Sequence, residues 1–316
     1  MRHYASRSRT SRARAPPGWR ASRPAVPNRR PALDSLTRER LAWPMVRRLA
    51  AAILLYLALT APASAEPPRG WRPHVDAARA WAAERAGDVS FAVRTQRRAW
   101  SWRGTTRYRS ASLVKAMLLV AYLRRSDVRR RPLRAGERGL LDPMVRRSDN
   151  RAADAIHAQV GLGALHALAR RARMTDFAPH PVWGGSTVTA TDQARFFLRI
   201  DRLVPRRHRA YALGLLRGIV AGQRWGIAAA LPAGWRIAFK GGWGEGVTRQ
   251  VDHQSALLTN ARLRVSIAVL SADNPSDAYG AETLRGVAER LLRGLAGTVE
   301  EKVVDARRGL GRQRGR

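Results

Sequence analysis

Cysteine is absent from this sequence of 316 residues, and lysine is nearly absent. The lack of cysteine excludes disulfide frameworks, thiol nucleophiles and cysteine-ligated zinc or iron–sulfur sites. Of the 59 lysines and arginines, only Lys115, Lys240 and Lys302 are lysines. Arginine stays protonated in proteins, whereas a buried lysine can lose its proton. In a chain that otherwise uses arginine, each lysine therefore marks a position to examine for amine chemistry.

Motifs for several other chemistries are also missing. The seven histidines form no H-E-x-x-H pair, so we expect no metal site. The glycine-rich pieces Gly161–Gly163 and Gly241–Gly246 match neither the P-loop nor the dinucleotide-binding fingerprint, and we interpret both as turns. No G-x-S-x-G elbow occurs, which argues against an α/β-hydrolase. We therefore expect an enzyme without a cofactor, if it is an enzyme.

Positive charge dominates the composition, with a formal net charge of +36. Residues 1–44 contain 11 arginines in a Pro/Arg-rich stretch, and residues 301–316 contain six basic residues. We interpret these ends as a disordered leader and a disordered basic tail. The arginines between them are scattered and no nucleic-acid-binding signature occurs, so we expect no specific nucleic-acid partner. The hydrophobic fraction of 45% indicates that the rest of the chain folds.

A targeting signal follows the leader. Met45 and two arginines precede the apolar run Leu49 to Leu59, and the A-x-A sequence Ala63-Ser64-Ala65 comes next. This is the pattern of a secretory signal peptide over residues 45–65, with cleavage after Ala65. The run is too short for a stable membrane anchor. We expect a secreted or extracytoplasmic protein without a membrane span after cleavage, and residues 1–44 as an over-extended translation start.

Residues 66–300 are predicted to form one domain of strands and helices. The predicted strands are Val89–Thr95, Ala99–Arg103, Trp235–Lys240, Ser255–Leu258 and Leu263–Ser271. The predicted helices are 74–86, 112–124, 151–159, 163–172, 190–201 and a last one over 284–295. Strands at both ends with helices between them indicate an α+β fold with a mostly antiparallel sheet. The helix 112–124 is apolar on all sides, which predicts a central position.

The central helix carries a candidate nucleophile. Ser112 and Lys115 are the only polar residues in its first two turns, and their spacing of three puts them on one face. A serine hydroxyl needs a neighbouring base to attack a carbonyl, and a lysine with a lowered pKa can be that base. The structural alternative is an N-cap serine beside a lysine whose amine reaches solvent.

Two further motifs support the catalytic interpretation. Ser148-Asp149-Asn150 precedes a predicted helix, and Lys240-Gly241-Gly242 ends a predicted strand. A helix N-cap and a strand-end turn are the structural alternatives for these two motifs. Their occurrence with S-x-x-K in this order resembles the serine β-lactamase and penicillin-binding-protein superfamily, and class A β-lactamases most of all. The resemblance covers roughly residues 74–296.

The resemblance implies a fold and a set of roles. The fold is a five-stranded antiparallel sheet flanked by helices, with an all-helical subdomain that bears the S-D-N motif. It implies the catalytic residues Ser112, the acylated nucleophile, Lys115, its activator, and Ser148, a proton relay. The implied substrate-binding residues are Asn150, Lys240, Gly242, Trp243 and Arg249. The backbone N–H groups of Ser112 and Trp243 would form the oxyanion hole.

The sequence also departs from the family pattern. Class A enzymes carry a loop glutamate that activates the deacylating water, but no glutamate occurs between Asn150 and Lys240. Asp176 and His180 lie in that region, and either is an alternative base. Gly241 replaces the threonine or serine that normally contacts the substrate carboxylate. The acylation residues are therefore present, and efficient deacylation is not predicted.

Three functions remain open at this point. The first is a secreted, monomeric serine hydrolase of β-lactamase type that opens β-lactams through an acyl-enzyme and deacylates slowly. The second is a D-alanyl peptidase or esterase that acts on cell-wall peptides or small esters. The third is a non-catalytic cell-envelope binding module that retains the motifs as structural elements.

Overall fold

The computed structural model describes residues 71–246, 248–261 and 263–295. The predicted leader (1–44), the predicted signal peptide (45–65) and the predicted basic tail (301–316) lie outside these ranges, as do the ends of the predicted domain 66–300. Within the described ranges, no helix has the length and apolar character needed to cross a bilayer.

A five-stranded antiparallel sheet forms the centre of the fold, which confirms the predicted α+β class. Its strand order is β2-β1-β7-β6-β5, so β5 is an edge strand. The strands are β1 (Asp88–Arg94), β2 (Ala99–Trp102), β5 (Arg236–Glu245), β6 (Gln250–Thr259) and β7 (Arg264–Asn274). Two short strands, β3 (Tyr108–Arg109) and β4 (Thr187–Val188), form a separate pair. Residues Val265 to Leu270, all buried and all apolar except Ser266, form the middle of β7, which explains its central place.

Seven helices surround the sheet in the described residues. They are α1 (Val75–Ala83), α2 (Lys115–Leu123), α3 (Ala135–Arg146), α4 (Asn150–Ala172), α5 (Ala190–Leu203), α6 (Arg209–Arg217) and α7 (Asp277–Leu291). The Ser266 hydroxyl of β7 donates to Ala194 of α5, whereas Asp252 of β6 lies against Gly280 of α7. Asp252 pairs with Ser271, so their side chains lie on the same face of the sheet. Ser266 is an odd number of residues from Ser271 on β7, so its side chain lies on the other face. Helices α5 and α7 therefore cover opposite faces of the sheet.

The helical subdomain is built on α2. Every residue of α2 is buried, including Lys115, as its all-round apolar sequence predicts. Helices α3 and α4 pack against it. Helix α4 contains a non-helical residue, Gly161, with φ 70° and ψ 164°, between the two helices that the sequence predicts separately. A glycine adopts this left-handed φ without a Cβ clash, so it accounts for the kink.

One prediction about the sheet is wrong. The sequence predicts that a strand ends at Lys240 and that Gly241–Gly246 is a turn, but β5 continues through Glu245. Each residue from Lys240 to Glu245 pairs with a residue of β6. Backbone pairing with β6 outweighs the low strand propensity of glycine here. The consequence is that the Lys-Gly-Gly motif lies in the middle of an edge strand.

Candidate active site

Ser112 lies in a single 3-10 turn, Ala111–Val114, that leads into α2. Lys115 follows as the first residue of α2 and is fully buried. Ala111 has a φ of 43°, a left-handed conformation that few residues other than glycine adopt. Ser112 is half-buried, and its hydroxyl forms no hydrogen bond with any other described residue. The turn thus presents a hydroxyl without a competing partner, three residues before a buried lysine.

The S-D-N motif approaches the same amine from the start of α4. Lys115 Nζ donates to the Ser148 carbonyl oxygen at 2.5 Å and to Asn150 Oδ1 at 2.7 Å, and it lies 3.3 Å from Ser148 Oγ. Asp149 is the N-cap of α4, where its Oδ1 accepts from the Ala152 N–H at 2.8 Å. The structural interpretation is therefore confirmed for Asp149, the N-cap, while Ser148 and Asn150 contact the amine of Lys115. Ser148 itself has a left-handed φ of 61°.

Lys240 of β5 reaches Ser148 from the opposite side. Its Nζ donates to Ser148 Oγ at 3.1 Å and to the Gly241 carbonyl oxygen at 2.8 Å. The Ser148 hydroxyl therefore lies between two amines, from Lys115 and Lys240. Three segments far apart in the sequence meet at this oxygen. Two of these segments each contribute a lysine, a rare residue in this chain.

Burial shifts both amines away from their ordinary titration range. Burial lowers the pKa of Lys115 to about 8, against the opposing effect of the Asp149 and Asp154 carboxylates. The pKa of Lys240 is also lowered, by burial first and by the positive charge of Lys115 second. A charge on one amine disfavours a charge on the other. Each amine therefore loses its proton more readily than the amine of a lysine exposed to water.

Gly242 brings β5 into direct contact with the nucleophile turn. A Cβ at this position would lie 2.6 Å from the Leu113 nitrogen and 2.9 Å from the Ser112 nitrogen. Real Cβ atoms do not approach backbone so closely, so only glycine fits without displacement. The edge strand thus passes beside the backbone N–H of Ser112.

The free edge of β5 also carries the Trp243 N–H. The Gly241 carbonyl accepts from Lys240 and so points away from β6. In an antiparallel strand the N–H and C=O of one residue point the same way, and the direction alternates along the chain. Trp243, two residues on, therefore directs its N–H toward the same free edge. The side-chain indole of Trp243 lies 5.6 Å from Lys240 Nζ.

A loop residue that sequence patterns did not identify covers Lys115. The Trp183 ring centroid is 4.6 Å from Lys115 Nζ, and Trp183 Nε1 donates to Asp154 Oδ1 at 2.7 Å. Ser110 joins this loop to the nucleophile turn, since its N–H donates to the Ser186 carbonyl at 2.7 Å. A single tryptophan in a loop has no periodic pattern, so no signal in the sequence pointed to it. Asp154, one turn after Asn150, could have been found by its helical spacing.

The two alternative bases form their contacts elsewhere. Asp176 pairs with Arg107 at 3.4 Å and accepts from the Thr175 hydroxyl at 2.9 Å. His180 Nδ1 lies 3.0 Å from the backbone N–H and C=O of Val182. Among the described residues, neither side chain contacts Lys115 or a residue of the S-D-N motif. Both residues therefore stabilise their own loop.

Arg249 lies apart from the other predicted site residues. It is exposed in the turn that joins β5 to β6, and its carbonyl oxygen accepts from the Gly246 N–H at 2.7 Å. In the described ranges, no hydrogen bond or ion pair joins its guanidinium to Ser148, Lys240 or Trp243. The structure thus assembles Ser112, the S-D-N motif and β5, and leaves Arg249 at the margin.

Comparisons with known proteins agree with this geometry. A family model described as the β-lactamase enzyme family matches residues 131–295, more than half of the chain, and includes the S-D-N and Lys-Gly-Gly segments. A search of curated proteins finds no match.

Solved structures of similar fold include three of interest here. A β-lactamase from Sphaerobacter thermophilus is 20% identical with a TM-score of 0.59, over 70% of this chain and 96% of that one. An ancestral class A β-lactamase is 20% identical with a TM-score of 0.58, over 69% and 98%. A protein named PBP-A is 18% identical with a TM-score of 0.59, over 69% and 93%. With the family match and the assembled motifs, the chain belongs to the β-lactamase enzyme family, within the serine β-lactamase and penicillin-binding-protein superfamily.

Proposed function

We propose that this protein is a secreted serine hydrolase that opens β-lactams through an acyl-enzyme on Ser112 and deacylates slowly. The observation that carries the proposal is the position of the Ser148 hydroxyl, 3.3 Å from Lys115 Nζ and 3.1 Å from Lys240 Nζ. Such an arrangement supplies a base for the nucleophile and a proton path to a leaving nitrogen.

Acylation begins with the neutral form of Lys115. A neutral amine has two N–H groups, and two strong acceptors, the Ser148 carbonyl and Asn150 Oδ1, lie within 2.7 Å of it. Its lone pair then remains to take the proton of the Ser112 hydroxyl. The Ser112 oxygen attacks the lactam carbonyl and forms a new C–O bond, and the carbonyl oxygen becomes an oxyanion. The N–H groups of Ser112 and Trp243 are the donors that we assign to this oxyanion.

Collapse of the tetrahedral intermediate breaks the lactam C–N bond. The leaving nitrogen takes a proton from the Ser148 hydroxyl, and the ammonium of Lys115 replaces that proton through the 3.3 Å contact. Lys240, on the other side of Ser148, stabilises the hydroxyl oxygen during this transfer. We assign Asn150 and the free edge of β5, with Gly242, to substrate positioning. We also assign Arg249 to substrate binding, which requires that the turn between β5 and β6 moves toward Trp243.

Slow deacylation follows from the residue above Lys115. An apolar indole, Trp183, occupies that side of the amine, and an indole cannot accept a proton from water. The same observation favours a second candidate, a D-alanyl peptidase or esterase that transfers cell-wall acyl groups, since a long-lived acyl-enzyme can await another acceptor. The third hypothesis, a non-catalytic envelope-binding module, stays as the alternative that the experiment below tests. We further propose that the protein acts as a monomer outside the cytoplasm.

A fluorescent penicillin tests the proposal directly. We expect the purified protein to become covalently labelled, the Ser112→Ala variant to remain unlabelled, and the exposed-serine control Ser126→Ala to label normally. Rapid loss of the label would identify an efficient β-lactamase, and a persistent label would support slow deacylation or the peptidase. Absence of labelling in the unmodified protein would contradict both enzymes and favour the binding module.

A further inference from the structure

A pocket of about 250 Å³ lies beside the active site, on the α7 side of the sheet. Trp225 and Trp243 form its walls, Asp252 lies at its base, and Asp277 with Gly222 and two alanines of α7 surrounds its opening. Trp243 belongs to both sites, because its backbone follows Lys240 along β5 while its side chain enters the pocket. A single residue therefore connects the pocket to the strand that lies beside Ser112.

The walls of the pocket are aromatic. The rings of Trp225 and Trp243 lie 5.8 Å apart at an angle of 82°, and both residues are half-buried. At this distance the two rings are in edge-to-face contact with each other, so a ligand would contact their remaining ring surfaces. Tryptophan faces are the most favourable aromatic surfaces for organic cations.

The base of the pocket holds a carboxylate with an unused oxygen. Asp252 is fully buried, and its Oδ2 accepts from Asn274 Nδ2 at 2.9 Å. Its Oδ1 is also buried and has no hydrogen-bond partner among the described residues. An unpaired buried oxygen of this kind is costly, so it calls for a partner. Burial, together with the charge of Asp277, raises the pKa of Asp252 to about 7.

No cation of the described residues satisfies this carboxylate or that of Asp277. The protein pairs other acids with its abundant arginines, as in the ion pairs of Asp201 with Arg264 at 2.7 Å and of Glu137 with Arg131 at 2.5 Å. The amine of Lys240, on the same strand as Trp243, donates to Ser148 and Gly241. Two acidic side chains without a cationic partner among the described residues thus lie beside two indoles in a strongly basic protein.

We propose that this pocket is a subsite for an organic cation of the substrate, a primary ammonium, amidinium or guanidinium group. Asp252 Oδ1 and the Asp277 carboxylate would accept its N–H groups, and the indoles of Trp225 and Trp243 would contact its apolar part. This assignment to the substrate rests on the proposed acylation of Ser112. Binding of the cation itself requires no acylation.

Benzamidinium and the neutral, equally shaped benzamide are suitable probes. We expect calorimetry on the full chain to give benzamidinium an affinity about 10-fold or more above that of benzamide, as for a paired charge on an aromatic wall. Asp252→Asn and Asp277→Asn should each remove most of this preference. Asp76→Asn is the control, because Asp76 is exposed in the first turn of α1 as Asp277 is in the first turn of α7. Thermal unfolding will show which variants fold.

The outcomes separate the two proposals. Equal binding of both probes, or an unchanged preference in Asp277→Asn, would overturn the cation pocket even if Asp252→Asn did not fold. The preference should persist in Ser112→Ala, so a failure of acylation would leave the pocket standing. Its link to the substrate is tested with two cephalosporins that share one acyl side chain and carry a primary ammonium or a neutral acetamide at the 3′ position. Faster acylation by the cationic cephalosporin supports the subsite if the difference disappears in Asp277→Asn. If Asp277→Asn changes acylation by both cephalosporins equally, the subsite is refuted.

Discussion

The indole of Trp183 covers the amine of Lys115, with 4.6 Å between the ring centroid and Nζ. A hydrogen bond fixes the ring in this position, because Trp183 Nε1 donates to Asp154 Oδ1 at 2.7 Å. A tryptophan from the segment between the second and third motifs thus covers the proposed base for acylation. Trp183 is one of the residues that bury Lys115, and burial lowers the pKa of this amine to about 8.

Replacing that indole with a carboxylate should change the fate of the acyl-enzyme. In Trp183→Glu we expect the loss of a bound fluorescent penicillin to accelerate at least about 10-fold, since a positioned general base contributes about 10²–10⁴-fold. Trp183→Gln is the matched control, with the same shape but no base. Equal release from the two variants would show that a carboxylate at this position does not activate water.

Lys115→Arg should abolish most acylation. Arginine keeps the positive charge but cannot accept the proton of Ser112. We expect the acylation rate to fall by about 10²–10⁴-fold, the usual effect of losing a general base. Stopped-flow measurement with a fluorescent penicillin gives the rate, and circular dichroism confirms the fold. Normal acylation in this variant would exclude Lys115 as the base.

The pH dependence of acylation should report the titration of Lys115. The active form is the neutral amine, so the rate should rise with pH and level off above about pH 8, the pKa of this group. In Asp154→Asn the midpoint should move to lower pH, because the Asp154 carboxylate favours the ammonium form. A midpoint that stays in place, or moves upward, would contradict this coupling.

Gly242→Ala should be more harmful than the same substitution at a glycine outside the active site. The added methyl would meet the backbone nitrogens of Ser112 and Leu113, so we expect about 1–3 kcal/mol of destabilisation and a loss of acylation. Gly163→Ala, in α4, meets nothing within 4 Å and should be neutral or stabilising by up to about 1 kcal/mol. Chemical unfolding and labelling of both variants give the comparison.

The sequence was sufficient for the parts of the site that depend on regular spacing. The helical interval between Ser112 and Lys115 and the three consecutive residues of the S-D-N motif act locally, so their positions follow from short segments. The α+β class also follows, because the helical and strand patterns of the core segments are strong. The scarcity of lysine added weight to Lys115 and Lys240, because a lysine is an exception in a chain that otherwise uses arginine.

Features that depend on tertiary contacts were beyond the sequence. The glycines after Lys240 have the composition of a turn, yet pairing with β6 extends β5 to Glu245. Trp183 lies in an irregular loop, and its position over Lys115 depends on contacts to Asp154 and to the nucleophile turn. The pocket at Asp252 likewise needs residues from β5, β6 and α7 together, and no local pattern brings these segments side by side.

Two left-handed residues that are not glycine, Ala111 and Ser148, flank the reacting groups. Each such conformation costs on the order of 1–3 kcal/mol and persists only because its surroundings enforce it. These two conformations therefore lower the stability of the segments that build the site. A chain selected only for thermal resistance would be expected to place glycine at both positions, and at position 148 it would lose the hydroxyl shared by the two lysines. Reactivity and maximal stability are therefore alternatives at Ser148.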